Sequence, residues 1–296
     1  MIVMIVNSML HILWCYLFIT IAGLEVTGAG LAMSVTWFLN LTSLTLYVQL
    51  SKCCKESWIC FDIEVFHDLR EFLSYGVPSA LEMLFEWGTF EMVTLLVGYV
   101  GVNELAGSAI AFSVLAIFYM VTYSVCSVTT ALVGNSLGDN SKYNAIVYSR
   151  MSMFLSTILT AMNVVLTIVF RYEIAAIYTT NEELQEITAG ILYLGGLMQI
   201  FDDMIATERG ILRGIGLQKY AAIIFFVVYW VMMLPTSAVL VLVYDYGANM
   251  VWGMLIVGTG ISFFTILTLI VFSDWDKLLI SIQARLQETS KKGTSS

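Results

Sequence analysis

Five carboxylic acids interrupt stretches of sequence that are otherwise almost wholly apolar. Glu82, Glu86 and Glu91 fall within the segment 72–100, and Asp202 and Asp203 within 184–212, just ahead of Glu208 and Arg209. An ionisable residue inside lipid costs about 2.5–3.5 kcal/mol on insertion scales, so its presence asks for a reason. A carboxyl group stripped of water favours its neutral form, and a cation beside it favours the ionised form. One cavity lined by such acids can therefore hold a proton or an organic cation in turn, which is the chemistry of exchange. The plainer alternative is a protonated acid that only hydrogen-bonds neighbouring helices together. At 1.5 Å rise per residue, Glu86 lies about 20 Å and Asp202 about 15 Å from the cytoplasmic ends of their segments, near the middle of a ~30 Å hydrocarbon slab. Glu82 and Glu86 share a helix face at i,i+4, and Glu91 points about 140° away from Glu86. No basic residue is expected at that depth, and Glu208 with Arg209 reads as a charge pair at the interface.

The elements that must position these acids are membrane helices. Of 296 residues 59% are apolar and 12% charged, against roughly 45–50% and about 25% in soluble domains, so only lipid can solvate such a surface. Eight segments reach the ~20 apolar residues a spanning helix needs: 2–22, 28–50, 72–100, 104–132, 146–170, 184–212, 220–243 and 249–272. The fold class is all-α integral membrane with eight transmembrane helices. Between the second and third, 51–71 is polar and amphipathic, as for a segment lying along the interface. The stretch 287–296 is polar and expected to be unstructured. Lys and Arg collect on the cytoplasmic side of membrane proteins. Here they follow the second, fourth, sixth and eighth segments, and only Arg171 falls in a connection of opposite parity. Both termini are thereby expected to be cytoplasmic. Met1 opens directly into apolar residues without a basic leader, so the chain reads as starting partway through a larger membrane protein.

Several chemistries lack their signatures. There is no GxxxxGK[ST] loop for nucleotide phosphates. His11 and His67 show no HExxH spacing, and no GxSxG elbow occurs. Cys15, Cys53, Cys54, Cys60 and Cys126 form neither a disulfide framework nor a zinc pattern, though Cys53 and Cys54 beside Lys52 and Lys55 suit palmitoylation. A net charge of −9 carries no footprint for nucleic acid. The sequence is not that of an enzyme, and no cofactor or metal is implied.

At the acids the sequence resembles the multidrug and toxin extrusion (MATE) transporters of eukaryotic type. Val77-Pro78-Ser79-Ala80 followed by Glu86-Trp87 and Phe90-Glu91 is similar to their seventh helix. Val133-Gly134-Asn135-Ser136-Leu137-Gly138 is similar to the close of the eighth. Asn181-Glu182-Glu183 resembles the entry to the tenth, and Asp202 with Gly210 and Arg213-Gly214-Ile215-Gly216-Leu217-Gln218 resembles that helix and its exit. Leu234-Pro235 and Val251-Trp252-Gly253 fit the eleventh and twelfth, and His11 to Cys15, Gly28 to Ala32, Trp37 and Asn40 resemble the fifth and sixth. The resemblance implies 1–50 as the last two helices of a first lobe, 51–71 as a cytoplasmic linker, 72–273 as a six-helix second lobe and 274–296 as a cytoplasmic tail, with the first four helices absent. It implies that Glu86, Glu91 and Asp202 line a proton- and substrate-responsive cavity. Asp203, Trp87 and Tyr123 join them as further candidates. Gly88 stands where relatives carry a second tryptophan, which is expected to open space. Ile205 replaces a glutamine, Leu132 and Ser136 replace charged residues, and Glu82 and Asp203 are additional acids.

The reading that follows is part of a secondary antiporter, exchanging protons for organic cations, xenobiotics or metabolites across the plasma or vacuolar membrane. Its implied partners are the bilayer, protons and small cationic substrates. By itself the chain is expected not to move substrate, since one lobe lines only half a cleft. One rival is a truncated, non-transporting protein that assembles with its missing N-terminal half or a full-length relative. Another is a flippase for a lipid-linked carbohydrate, which would need basic residues in the cavity for pyrophosphate.

Overall fold

The computed structural model describes residues 2–51 and 69–293. Residues 52–68 of the interfacial segment, with Cys53, Cys54, Cys60 and His67, fall outside those residues, and 69–71 belong to the third helix. Among the described residues, eight helices are long and apolar enough to cross a membrane, as the sequence pattern predicts. Two separate units divide near residue 69.

The first unit is a helical hairpin. Helix α1 (Ile2–Cys15) continues through a wider π-helical stretch, Tyr16–Ile21, and α2 runs Glu25–Leu50. In lipid no hydrophobic force joins two apolar helices, so close backbones and polar contacts must. Asn7 Nδ2 donates to Asn40 Oδ1 at 2.8 Å, and His11 Nδ1 lies 2.8 Å from Thr36 Oγ1. Gly28 lets α2 approach the Phe18 carbonyl, which a Cβ would meet at 2.8 Å.

The second unit contains α3 (Leu69–Val100), α4 (Val102–Gly138), α5 (Lys142–Val169), α6 (Arg171–Tyr178), α7 (Glu182–Gly214), α8 (Gln218–Phe225), α9 (Leu234–Leu242), α10 (Ala248–Val271) and α11 (Trp275–Gly293). A π-helical stretch, Phe226–Met233, joins α8 to α9 just ahead of Pro235. Proline lacks the N–H for an i−4 bond and crowds the preceding turn, so the ladder widens there. Helix α7 is the axis: 61% of its membrane window is buried, against 22–39% for the other spans of this unit. It packs on α4, α5 and α10. Asn181 caps its start, accepting from the Glu183 and Leu184 N–H groups at 3.0 and 3.4 Å. Gly216, at φ +76°, ends it, with Leu217 N–H bonded back to the Leu212 carbonyl at 2.8 Å.

Two features bring α7 close to its neighbours. On the α4 side, a Cβ at Gly210 would lie 2.6 Å from the Cys126 carbonyl oxygen, and one at Gly214 would lie 2.8 Å from Val133 Cβ. On the other side, the buried residues of α5 are Ala145, Ser149, Ser152, Ser156, Thr160, Asn163 and Thr167. Their three- and four-residue spacing makes one polar stripe, whereas the lipid-facing side of α5 is apolar.

Helix α11 continues to Gly293, so residues 287–293, whose polar composition predicts no structure, are helical. Trp275, Leu278, Leu279 and Ile282 pack against the core. Gln283 Nε2 donates to the Leu137 and Gly138 carbonyls at 2.7 and 3.0 Å, closing the end of α4. Asp274 starts α11, its Oδ1 accepting from the Asp276 and Lys277 N–H groups at 3.2 Å each. The Lys277 backbone bond holds the Asp274 carboxyl below its ordinary value. A lowered folded value means the cap contributes at neutral pH and is lost as pH falls through that value. Asp274→Ala is expected to lower amide-exchange protection over 275–278 at neutral pH and to change little at strongly acid pH. Equal protection in both proteins at neutral pH would contradict the cap.

Candidate functional site in the second unit

Helix α3 presents Glu82 and Glu86 on one face, both buried. Opposite them α7 presents Asp202, Arg209 and Arg213, which share a face at 3.6 residues per turn, and α4 adds Tyr119 and Tyr123. The Arg209 guanidinium is the hub. Its Nη1 donates to Glu86 Oε2, its Nη2 donates to the Tyr119 hydroxyl at 2.9 Å, and its Nε lies 3.3 Å from Glu82 Oε1 at ion-pair distance. Arg213 Nε and Nη2 reach Glu82 Oε2 at 3.3 and 3.4 Å. Tyr119 also donates to Glu86 Oε1 at 3.4 Å. Two carboxylates thus face two guanidinium groups inside the bundle.

Glu86 and Asp202 line one cavity, together with Trp87, Phe90, Phe112, Leu115, Tyr119, Met198 and Gln199. Its free room of about 30 Å³ accommodates one or two waters. Small-molecule pockets run to about 300 Å³ and more. Asp202 Oδ1 has no hydrogen-bond partner among the described residues. The cavity suits protons and water rather than a drug-sized molecule.

Not every candidate reaches it. Trp87 lines the cavity and meets Phe112 edge-on at 6.4 Å. Tyr123 stands instead over Arg209, its ring centroid 5.8 Å from Cζ. Glu91 lies on the exposed face of α3. Asp203 points to the polar stripe of α5, where Asn163 Nδ2 donates to its Oδ2 at 2.9 Å and Ser156 reaches its backbone carbonyl at 3.4 Å.

Three expectations are corrected. A basic residue does share the depth of the acids: Arg209 is 1% exposed and pairs with Glu82 and Glu86. Arg209 consequently does not pair with Glu208 at an interface. Glu208 is buried, and neither of its carboxyl oxygens has a hydrogen-bond partner among the described residues. Helix α7 ends at Gly214, close to the expected boundary, but side chains of α3, α4 and α8 surround Arg209 near that end. Glu82, one of the two additional acids, pairs with both arginines. Lastly, Gly88 does not open a void. Trp230 fills the place, its Cζ2 3.1 Å from where a Gly88 Cβ would stand and its Nε1 donating to the Phe85 carbonyl at 3.0 Å.

Eight candidate spans among the described residues, six of them in the second unit with its buried charged side chains, make this a multi-pass integral membrane protein. Residues 78–239, more than half of the chain, match the MatE family, and the chain belongs to that family. It is 27% identical over 262 residues to multidrug and toxin extrusion protein 1 of Homo sapiens, covering 88% of this chain and 46% of that protein. Against Protein DETOXIFICATION 14 of Arabidopsis thaliana it is 26% identical over 274 residues, covering 90% of this chain and 56% of that one. The fold is similar to the crystal structure of the eukaryotic MATE transporter AtDTX14, with TM-score 0.87 at 24% identity over 95% of this chain and 63% of that one. It is also similar to a MOP superfamily transporter from Pyrococcus furiosus, with TM-score 0.75 at 17% identity over 94% and 61%. The chain spans about half the length of the curated relatives it matches.

Proposed function

We propose that this chain is the second-lobe portion of a secondary transporter that exchanges protons for small organic cations or related metabolites. In this reading 72–273 form the lobe, 1–50 are the last two helices of the first lobe, and 51–71 and 274–296 lie in the cytoplasm with both termini. The placement of Glu86 and Asp202 on one cavity carries the proposal. Their helices bring two carboxyl groups, which disfavour double ionisation when close, into a space that admits water. Protons are therefore assigned to this cavity, and Glu91, on the exposed face of α3, is assigned to the path of the cation. The basic residues a pyrophosphate-handling flippase would need are engaged by Glu82 and Glu86, so the structure adds no support for that rival.

Completed by four leading helices from a relative of the same family and placed in liposomes, the protein is expected to take up tetraethylammonium when the lumen is acid. Glu86→Gln and Asp202→Asn should each remove the pH-driven component while leaving membrane insertion unchanged. Undiminished pH-driven uptake in both variants would refute the assignment.

A further inference from the structure

The surroundings of the Arg209 side chain are those of a receptor for an organic cation. Negative charge comes from Glu82 and Glu86, a hydroxyl comes from Tyr119, and two aromatic rings face the guanidinium carbon, with Tyr123 at 5.8 Å and Phe225 at 5.9 Å. Carboxylates give such a site its charge, and aromatic faces give it affinity for diffuse, weakly hydrated cations. Arg213 also reaches Glu82, so the charge of that acid is not balanced by Arg209 alone. The water-sized cavity adjoins this cage through Glu86 and Tyr119, so removing the arginine side chain would join the two spaces.

We infer that Arg209 is a tethered occupant of an organic-cation site built from Glu82, Glu86, Tyr119, Tyr123 and Phe225. The site's chemical class is that of guanidinium and small alkylammonium ions. This rests on reading the region as cation-handling, but it concerns binding only. A free ion must displace a group held at the site by the chain itself. A site open one-hundredth of the time binds about a hundredfold more weakly than one always open. Arg209 thereby sets the specificity of the cavity, admitting protons and water while excluding bulkier cations.

The test is chemical replacement of the missing side chain. Arg209→Ala, purified in nanodiscs, is expected to bind methylguanidinium at least about tenfold more tightly than the unmodified protein, with a saturable rise in melting temperature. Urea, a neutral molecule of similar shape, should give no rise. If Arg209→Ala folds only when methylguanidinium is present during expression, recovery of folded protein is the same positive result. The double variant Glu82→Gln with Arg209→Ala carries one fewer buried charge and should also bind, and adding Glu86→Gln should abolish that binding. The inference is overturned if methylguanidinium neither stabilises nor recovers these variants, or if the unmodified protein responds equally. Loss of pH-driven uptake with methylguanidinium binding intact would count against the proposed exchange alone. The reverse pattern would count against this site alone.

Discussion

Removing both carboxylates that hold Arg209, as Glu82→Gln together with Glu86→Gln, is expected to abolish recovery of folded protein. Breaking a buried ion pair by deleting one partner typically costs about 3–5 kcal/mol, because the other charge is stranded. The direction of the deletion matters here. An arginine keeps its charge at any pH a protein survives, so a stranded Arg209 has no neutral form to adopt. Arg209→Gln instead leaves two carboxyl groups, each of which can take up a proton, and Arg213 still reaches Glu82. The double glutamine variant should therefore be much the more damaging, although both changes alter the same cluster. Either glutamate replaced alone leaves Arg209 one partner and should be tolerated better. Monodispersity and melting temperature in detergent would measure this. Equal stability of the double variant and Arg209→Gln would mean that the arginine is not held as described.

Gly210→Ala should also be costly, for a different reason. The added Cβ would lie 2.6 Å from the Cys126 carbonyl oxygen and 3.0 Å from Cys126 Cα. Backbone atoms in mid-helix cannot swing aside as a side-chain tip can, so α4 and α7 must separate. Overpacking of this kind costs about 1–3 kcal/mol. It would also strain the bond from Thr130 Oγ1 to the Gly210 carbonyl, now 3.1 Å, and pull Arg209 on α7 away from Tyr119 on α4. A lower melting temperature is expected, and a melting temperature equal to that of the unmodified protein would show that the seam can yield. Alanine at Gly190, where a Cβ would meet nothing within 4 Å, is the matched control and should change little.

The helices and the cavity acids were legible because each has a local signature. An apolar run of spanning length admits few readings, and a carboxylate inside one stands out by its cost. Arg209 is not legible in this way, because a basic residue near the end of a span ordinarily marks the membrane surface. Its burial depends on which helices surround the end of α7, and that does not lie in the local sequence. The pairing of Glu82 with Arg209 joins residues more than a hundred positions apart, and each looks anomalous until the other is placed beside it. Gly88 and Trp230 have the same relation: a missing ring on α3 is supplied from the stretch between α8 and α9. The polar stripe of α5 went unread, because Ser and Thr are ordinary in an apolar segment until Asp203 and Gln199 are seen opposite them.

The four charges of the Arg209 cluster have an electrical consequence. With Glu82 and Glu86 ionised, they cancel Arg209 and Arg213. A charge carried across the membrane potential gains or loses about 2.3 kcal/mol per 100 mV. A cluster with no net charge gives that field almost nothing to pull on, however far the helices tilt. Voltage would then act at this cluster through the ions that come and go, and hardly at all through its own four side chains.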